Sequence, residues 1–284
     1  MEFEHDQINK FAEYARRKRE KPKILKCGFN TIDRHVVYGG LPQDFLIYIQ
    51  AKASVGKTYF VTNWITRILK SNNTSKILFF SREMDYEHIT DRILQSFFAS
   101  SIVSVGNMVR DSNDKVSREL NKVRYYDRLT IHDGALDMKI FESMVDSEKP
   151  SIVFVDHLHK IGCEGSEDIF NKTTKLSNFL FEIKKKYQTR IVSLVQIKRL
   201  NSDSRGVNTG EDFSMLSDGK GSGAIEEDGD LILSLRRPDV NPDCEVAKRR
   251  TVQALIIKNR YSSGDTSVMI WRYDPETSVL TEVP

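Results

Sequence analysis

Gln50-Ala51-Lys52-Ala53-Ser54-Val55-Gly56-Lys57-Thr58 is the stretch that decides the fold of this chain. The apolar run 45–49 precedes it and is typical of a buried β-strand, and residues 59–70 follow it with apolar side chains at helical spacing. A strand, a tight loop, Gly-Lys-Thr and a helix together form the layout of a phosphate-binding loop. The backbone N–H groups of such a loop, and the N-terminus of the helix after it, attract phosphate oxygens. The stretch therefore predicts a nucleotide site, a feature that many kinds of molecular machine share.

The side chains of this loop have separate predicted tasks. Lys57 can reach the β- and γ-phosphates, and the hydroxyl of Thr58 can ligate Mg²⁺. Ala51 occupies the first position of the pattern G-x-x-x-x-G-K-[ST], where alanine costs on the order of 1 kcal/mol more than glycine if φ must be positive. A chance Gly-Lys-Thr in a strand–helix turn is the alternative, but the flanking strand and helix favour the nucleotide site. The predicted nucleotide contacts are Ala51, Ser54, Val55, Gly56, Lys57, Thr58 and Tyr59.

Composition narrows the class of protein without naming a function. With 284 residues, 29% of them charged and 39% hydrophobic, the chain is long enough for one large α/β domain and a small appendage. A net charge of +3 is too small to argue for a nucleic-acid partner by itself. The three cysteines lie far apart without metal-ligand spacing, which is typical of reduced thiols in a cytosolic protein. The chain has no apolar run of membrane-spanning length, and its acidic N-terminus does not resemble a signal peptide.

Residues 1–22 form a separate unit in the sequence. Apolar side chains recur at helical spacing on one face, and charged residues fill the other face and end in the basic run 16–19. Such a run is more typical of a solvated face than of a DNA contact. We predict an amphipathic helix over residues 1–22, packed on its own domain or on a neighbouring subunit, followed by one domain over residues 23–284. The apolar positions are Ile8, Phe11, Ala12 and Ala15.

Polar side chains follow three further predicted strands. Glu83 comes after the run 76–81, Asp156 ends the run 151–156, and Gln196 ends an apolar strand that begins at residue 190. Ligands bind at the carboxyl ends of strands in open α/β sheets, so we expect these groups to surround the phosphate loop. There Glu83 can activate water for attack on the γ-phosphate, Asp156 can hold Mg²⁺ together with Thr58, and Gln196 can sense the γ-phosphate. A helix-capping carboxylate is the simpler alternative for Glu83.

His157 and His159 raise the possibility of a metal site. They are two residues apart at a strand end and would share a face. A third ligand with metal-binding spacing does not follow them, so the sequence does not favour a metal site built on this pair.

A long polar segment follows Gln196. Loops of this length in a compact domain are usually functional or disordered. Its glycine-rich part surrounds Lys220, and glycine backbone beside a cation can approach a sugar-phosphate chain closely. A flexible surface loop is the alternative. The predicted DNA contacts are Arg205, Lys220, Gly221 and Gly223.

Lys258 and Arg260 are two residues apart in an extended segment further along the chain, so their side chains lie on the same side of it. From the residues alone, these two cations can face their own site, solvent or the nucleotide of a neighbouring subunit.

Taken in order, these motifs resemble the C-terminal RecA-like ATPase domain of bacterial DnaB-type replicative helicases and their phage relatives. The resemblance runs from Gly28 to about Trp271. Alanine is usual at the first position of that family's phosphate loop, and the segment 81–84 resembles its Ser-Leu-Glu-Met, with Arg82 in place of the apolar residue. The most diagnostic segment is 222–230, which simple recombinases do not usually carry.

The resemblance implies roles for the catalytic residues. Lys57 binds phosphate, Glu83 is the catalytic base, and Gln196 senses the γ-phosphate. The segment 258–260 resembles a Lys-x-Arg pair, so Lys258 and Arg260 would reach the γ-phosphate bound by the adjacent subunit.

Two departures from the family pattern qualify the resemblance. Residues 219–221 read Gly-Lys-Gly where the family has Leu-Arg-Glu, so Lys220 keeps the charge of a DNA-contacting arginine but not its bidentate geometry. The first twenty residues resemble only the family's linker helix. The sequence therefore leaves open whether a large N-terminal domain was removed or never existed, as in a phage or mobile-element protein.

The resemblance also implies an architecture and an activity. The expected fold class is α/β, a RecA-like P-loop NTPase with a mainly parallel central sheet flanked by helices. The expected activity is that of a ring-forming DNA helicase motor that uses ATP or another NTP with Mg²⁺ and translocates on single-stranded DNA during replication. The resemblance implies assembly into a homo-oligomeric ring, expected to be hexameric, and a primase or helicase loader as a further partner. A membrane partner is not expected. The expected location is the cytoplasm of a bacterial or phage-infected cell. The alternative is a RecA- or clock-type ATPase, a recombinase or protein remodeller without unwinding activity.

Overall fold

The computed structural model describes residues 23–71, 74–111, 113–122, 124–164, 168–197, 213, 222–238, 250–261 and 267–283. The predicted N-terminal helix over residues 1–22 lies outside this part of the chain.

Within the described residues, nine strands form one sheet in the order β3-β2-β4-β5-β1-β6-β7-β8-β9. Strands β1 to β6 pair in parallel, whereas β7, β8 and β9 add antiparallel strands at one side. The predicted α/β class with a mainly parallel sheet is confirmed. The strands are β1 (Phe45–Ala51), β2 (Ile77–Ser81), β3 (Leu129–His132), β4 (Ile152–Asp156), β5 (Arg190–Gln196), β6 (Leu231–Arg236), β7 (Thr251–Asn259), β8 (Val268–Asp274) and β9 (Val279–Glu282).

Helices of the described residues connect and cover these strands. They are α1 (Asn30–His35), α2 (Lys57–Lys70), α3 (Tyr86–Phe98), α4 (Ile102–Asp111), α5 (Asn113–Lys122), α6 (Tyr125–Arg128), α7 (Met138–Glu148), α8 (Ile169–Tyr187) and α9 (Ser222–Asp228), with short 3₁₀ turns at Val37–Gly39 and Leu158–Lys160. Among them, none is both long and apolar enough to span a bilayer.

The central strands are buried on both faces, which explains their continuous apolar sequences. All seven residues of β1 are buried, and so are all five of β4. Because successive side chains in a strand point to opposite faces, Phe45, Ile47 and Ile49 join one core while Leu46 and Tyr48 join the other. The first core contains stacked and edge-on rings from three separate parts of the chain, namely Phe29, Phe60, Trp64 and Trp271. Helices on both faces thereby hold β1, and the loop after it, in one fixed position.

Candidate nucleotide site

The carboxyl ends of the parallel strands meet at one edge of the sheet. Register places Ser81 at the end of β2 beside Asp156 at the end of β4, and Ala51 at the end of β1 beside Gln196 at the end of β5. Glu83 follows β2 by two residues. The predicted groups therefore converge on the loop that joins β1 to α2, as the strand-end rule requires.

The loop between β1 and α2 has the backbone geometry of a phosphate cradle. Ser54 and Gly56 have positive φ angles of 65° and 96°, and α2 begins directly afterwards at Lys57 with its N–H groups facing the loop. Glycine suits the left-handed position at residue 56, where a side chain would be strained. Ala51 ends the extended strand and is not among the residues with positive φ, so the cost considered for alanine there does not arise.

Lys57 lies inside this loop. It is only 7% exposed, and its Nζ donates to the backbone carbonyl oxygens of Lys52 at 3.1 Å and Ala51 at 3.4 Å. Burial lowers the pKa of the ammonium, and the carboxylates of Asp156 and Glu83 oppose that change. A phosphate beside Lys57 would add the negative charge that favours its protonated form.

Thr58 and Asp156 form the part of the site that fits Mg²⁺. The Thr58 hydroxyl donates to Oδ2 of Asp156, a carboxylate that is fully buried, and Oδ1 of Asp156 has no hydrogen-bond partner among the described residues. Burial raises the pKa of Asp156 to about 6; Glu83 adds to the rise, while the hydrogen bond from Thr58 and the charge of Lys57 oppose it. A buried carboxylate oxygen without a partner, next to a hydroxyl, matches the hard oxygen donors that Mg²⁺ prefers.

Glu83 occupies the open side of the same site. Its side chain is 41% exposed, and its Oε1 lies 3.8 Å from Nδ1 of His157. The capping residue of α3 is Asp85, whose side chain accepts from the backbone N–H of His88. The structure therefore gives the capping role to Asp85, and Glu83 remains available to act on a bound ligand.

His157 is the neighbour that the sequence did not connect with Glu83. It is 6% exposed, and within the part of the chain that the structure describes its Nδ1 has no hydrogen-bond partner. Burial lowers the pKa of His157, and the charge of Glu83 opposes that change. His159 is directed elsewhere, because its Nε2 lies 3.0 Å from the hydroxyl of Thr173.

A cleft of about 740 Å³ opens at this sheet edge, a volume suited to a nucleotide. The predicted site residues that line it are residues 54–59, Glu83 and Gln196, and Ala53 lies beside them. Sequence reasoning missed most of the remaining walls, which are contributed by Met84, Arg92, Gln95, Arg237, Val252, Tyr273, Pro275 and Ser278.

Arg237 and Tyr273 form the wall most suited to a nucleotide base. The Arg237 guanidinium lies 4.4 Å from the centre of the Tyr273 ring, and its Nη2 donates to the Tyr273 hydroxyl at 2.5 Å. This planar, cationic surface can stack against an aromatic base. One feature of the sequence could have indicated Arg237 as a site residue. It directly follows β6, a parallel strand whose carboxyl end lies at the same edge of the sheet.

Lys258 and Arg260 lie at the other edge of the sheet. The backbone N–H of Arg260 donates to the carbonyl of Asp230, and the N–H of Asp230 donates to the carbonyl of Leu46 at the start of β1. Ala51 lies five positions further along this strand than Leu46, a distance of roughly 16 Å. The structure therefore does not bring these two cations to the phosphate loop of their own chain.

At that edge, both cations contact the end of α9. Lys258 donates through Nζ to the carbonyl of Glu226, Arg260 donates through Nη2 to the carbonyl of Glu227, and Nη1 of Arg260 lies 3.3 Å from Oδ1 of Asp230. Asp230 is also held by Lys184 at 2.5 Å and by the N–H of Leu46 at 2.8 Å. This buried network fixes the base of the segment that presents Arg260.

Of the four predicted DNA contacts, Gly223 lies within the described residues. It is exposed in the first turn of α9, with open space where a Cβ would point. Arg205, Lys220 and Gly221 lie outside the part of the chain that the structure describes.

The fold is similar to that of solved ATPase structures. A structure described as "ATPase Domain of G40P" matches with a TM-score of 0.77 and 20% identity over 98% of each chain. "The Structure Of A DnaB-Like Replicative Helicase And Its Interactions With Primase" matches with a TM-score of 0.75 and 21% identity, over 98% of this chain and 66% of the other. The expected RecA-like fold is confirmed.

Curated relatives agree with this likeness. A "Probable plasmid replicative DNA helicase" of Chlamydia muridarum is 26% identical over 279 residues, which cover 91% of this chain and 55% of the relative. The "Replicative DNA helicase DnaC" of Bacillus subtilis is 26% identical over 246 residues, which cover 83% of this chain and 52% of the relative. The chain thus spans about half the length of these relatives.

A family profile matches nearly the whole chain. It is described as the DnaB-like helicase C terminal domain, and it aligns with residues 25–279. The matched range contains the phosphate loop, Glu83, Asp156, Gln196 and Arg260. On this match, the chain belongs to the DnaB-like helicase C-terminal domain family.

Proposed function

We propose that this chain is the motor of a replicative DNA helicase, which hydrolyses ATP or another NTP between subunits and moves along single-stranded DNA. One observation carries the proposal most directly. The nucleotide cleft and the pair Lys258–Arg260 lie at opposite edges of one sheet, so a cleft obtains these cations only from a neighbouring subunit. Membership of the DnaB-like family, and relatives named replicative DNA helicases, support the same assignment.

Within one subunit, the cleft residues bind and orient the nucleotide. Lys57 and the backbone of residues 54–58 hold the phosphates, while Thr58 and Asp156 are the groups that would hold Mg²⁺. The metal ion, when bound, neutralises charge on the phosphate oxygens. Glu83 accepts the proton of the attacking water, and Gln196 contacts the γ-phosphate and reports its presence to the segment that follows β5.

Between subunits, Lys258 and Arg260 complete the site. A guanidinium placed in trans stabilises charge that develops on the transferred phosphoryl group. Hydrolysis then depends on assembly of several subunits. We propose that they form a homo-oligomeric ring, which the family resemblance implies is a hexamer. We infer action in the cytoplasm of a bacterial or phage-infected cell, with a primase or helicase loader as a further partner.

The first expected result is NTP-dependent displacement of one strand from a forked DNA duplex. A motor that encircles or grips one strand separates the other as it moves, whereas a recombinase or a clock-type ATPase of the same fold does not. The measurement is release of a fluorescent strand with NTP and Mg²⁺, with the Lys57→Ala protein as the matched control. NTP hydrolysis stimulated by DNA but without strand release would contradict the helicase assignment.

The second expected result concerns the segment that contains Lys220. Affinity for single-stranded DNA should fall as salt rises, and removal of one phosphate contact in Lys220→Ala should reduce the slope of log K against log [salt] by about 0.7. Fluorescence anisotropy with a labelled oligonucleotide measures this slope. Lys122→Ala is the control, because Lys122 is exposed on α5 and pairs with Glu119. Affinity that does not depend on salt would overturn the assignment of this segment to DNA.

A further inference from the structure

Three side chains with metal-binding atoms meet beside the phosphate loop. Glu83, Asp156 and His157 each offer one oxygen or nitrogen, and these three atoms lie within 4.8 Å of one another. Glu83 comes two residues after β2 and His157 directly after β4, and these strands are neighbours, since Ser81 of β2 pairs with Asp156 of β4. The sheet therefore holds the three groups together.

Among the described residues, Asp156 and His157 each have a buried side-chain atom without a hydrogen-bond partner. Oδ1 of Asp156 belongs to a fully buried carboxylate, and Nδ1 of His157 belongs to a ring that is 6% exposed. Buried polar atoms in proteins normally have a partner, so two without one, on adjacent residues beside Glu83, indicate a ligand. A Mg²⁺ ion accounts for the oxygen of Asp156 but not for the imidazole, because Mg²⁺ prefers oxygen ligands.

We propose that Glu83, Asp156 and His157 bind a divalent transition-metal ion of the Zn²⁺ class. One imidazole and two carboxylates, with a fourth position left for water, form a set of the kind that Zn²⁺ accepts. An N/O site of this composition binds Zn²⁺ more strongly than Mn²⁺ in the usual order of divalent metals.

The separation between His157 and Glu83 needs only a small adjustment for this ion. Ligand atoms about 2.1 Å from a tetrahedral Zn²⁺ lie about 3.4 Å apart. The 3.8 Å between Nδ1 of His157 and Oε1 of Glu83 exceeds that separation by about 0.4 Å. Because the Glu83 side chain is 41% exposed, it can rotate toward the ion without disturbing the core.

Occupancy of this site would remove Glu83 from its proposed role as base. A carboxylate that coordinates a metal ion is not free to accept a proton from water. Zn²⁺ should therefore inhibit NTP hydrolysis even with Mg²⁺ in excess. This consequence depends on the proposed function, whereas binding of the ion does not.

The test is titration of ZnCl₂ into the full, nucleotide-free chain without Mg²⁺, in competition with a chromophoric chelator. We expect one ion for each chain. Loss of one ligand in His157→Phe should weaken binding by at least about tenfold, since even outer-shell partners of metal ligands change affinity by 10–100-fold. Glu83→Gln should have a similar effect, and because Glu83 is on the surface this variant keeps the test valid if His157→Phe fails to fold.

The matched control is His88→Asn. His88 is exposed and pairs with Asp85 on α3, so it reports weak binding at surface histidine–carboxylate pairs. We expect this variant to bind Zn²⁺ like the unmodified chain. Equal binding by the unmodified chain, His157→Phe and Glu83→Gln would overturn the proposal.

Hydrolysis is measured separately with Zn²⁺ added to Mg²⁺ and NTP. Inhibition that weakens in His157→Phe supports the site, and equal inhibition of both proteins contradicts it. An absence of NTP hydrolysis in every sample would reject the proposed function but would leave the binding result intact.

Discussion

Replacement of Arg260 by alanine is expected to lower NTP hydrolysis by about 10³–10⁵-fold, the range that an arginine supplied in trans contributes. Nucleotide binding should change little, because the phosphate loop of the same chain lies at the other edge of the sheet. The fold should survive the substitution, since Lys184 and the N–H of Leu46 still hold the buried Asp230. The measurements are phosphate release and binding of a fluorescent nucleotide.

Mixing two inactive variants tests the trans assignment directly. A Lys57→Ala subunit has a defective phosphate loop but keeps Arg260, and an Arg260→Ala subunit has the opposite defect. When the two are combined, some interfaces join an intact loop to an intact Arg260, so hydrolysis should reappear. Arg272→Ala is the matched control, because Arg272 is exposed on β8 away from these contacts. Full activity of Arg260→Ala without any partner variant would show that the residue does not act in trans.

Glu83→Gln is expected to reduce kcat for NTP hydrolysis by about 10²–10⁴-fold, the usual contribution of a general base. The amide keeps the size of the side chain but cannot accept a proton from water. KM for the NTP should remain nearly constant, since in the proposed site Lys57 and Thr58 bind the phosphates independently of Glu83. Steady-state phosphate release separates the two parameters.

The control for this variant is Glu87→Gln. Glu87 is exposed in the first turn of α3, four residues from Glu83, and no role in the cleft is assigned to it. Its substitution should leave kcat unchanged. A Glu83→Gln protein with unmodified kcat would mean that another group in the cleft accepts the proton.

Sequence predicted the parallel part of the sheet well because those strands are buried on both faces. Each of β1, β2 and β4 is a continuous apolar run that ends in a turn or a polar residue. The sequence therefore predicts both that the segment is a strand and where the strand ends. β9 was missed because four residues with only one buried side chain carry little pattern. The helix α9 was also missed, since Ser222–Asp228 begins with Ser-Gly and then gathers acidic residues instead of an apolar stripe.

The candidate site could be predicted where one rule about strand ends applied. That rule located Glu83, Asp156 and Gln196, and Arg237 satisfies it too, at the end of β6. The positions of Tyr273 and His157 in the site could not be predicted without the pairing of the strands. Tyr273 comes from the antiparallel part of the sheet, and the closeness of His157 to Glu83 depends on the pairing of β2 with β4.

The opposite placement of cleft and Arg260 restricts the symmetry of any active assembly. A two-fold dimer pairs the same surface of both subunits, so it would give each cleft the partner's arginine only if that one surface contained both edges of the sheet. With cleft and Arg260 at opposite edges, a heterologous interface, in which one face of a subunit meets a different face of the next, completes the sites more directly. An open row of such subunits always has one incomplete site at its end, and closure of the row removes it. A ring that opens to admit a DNA strand would therefore lose hydrolysis at the gap alone, and would regain it on closing.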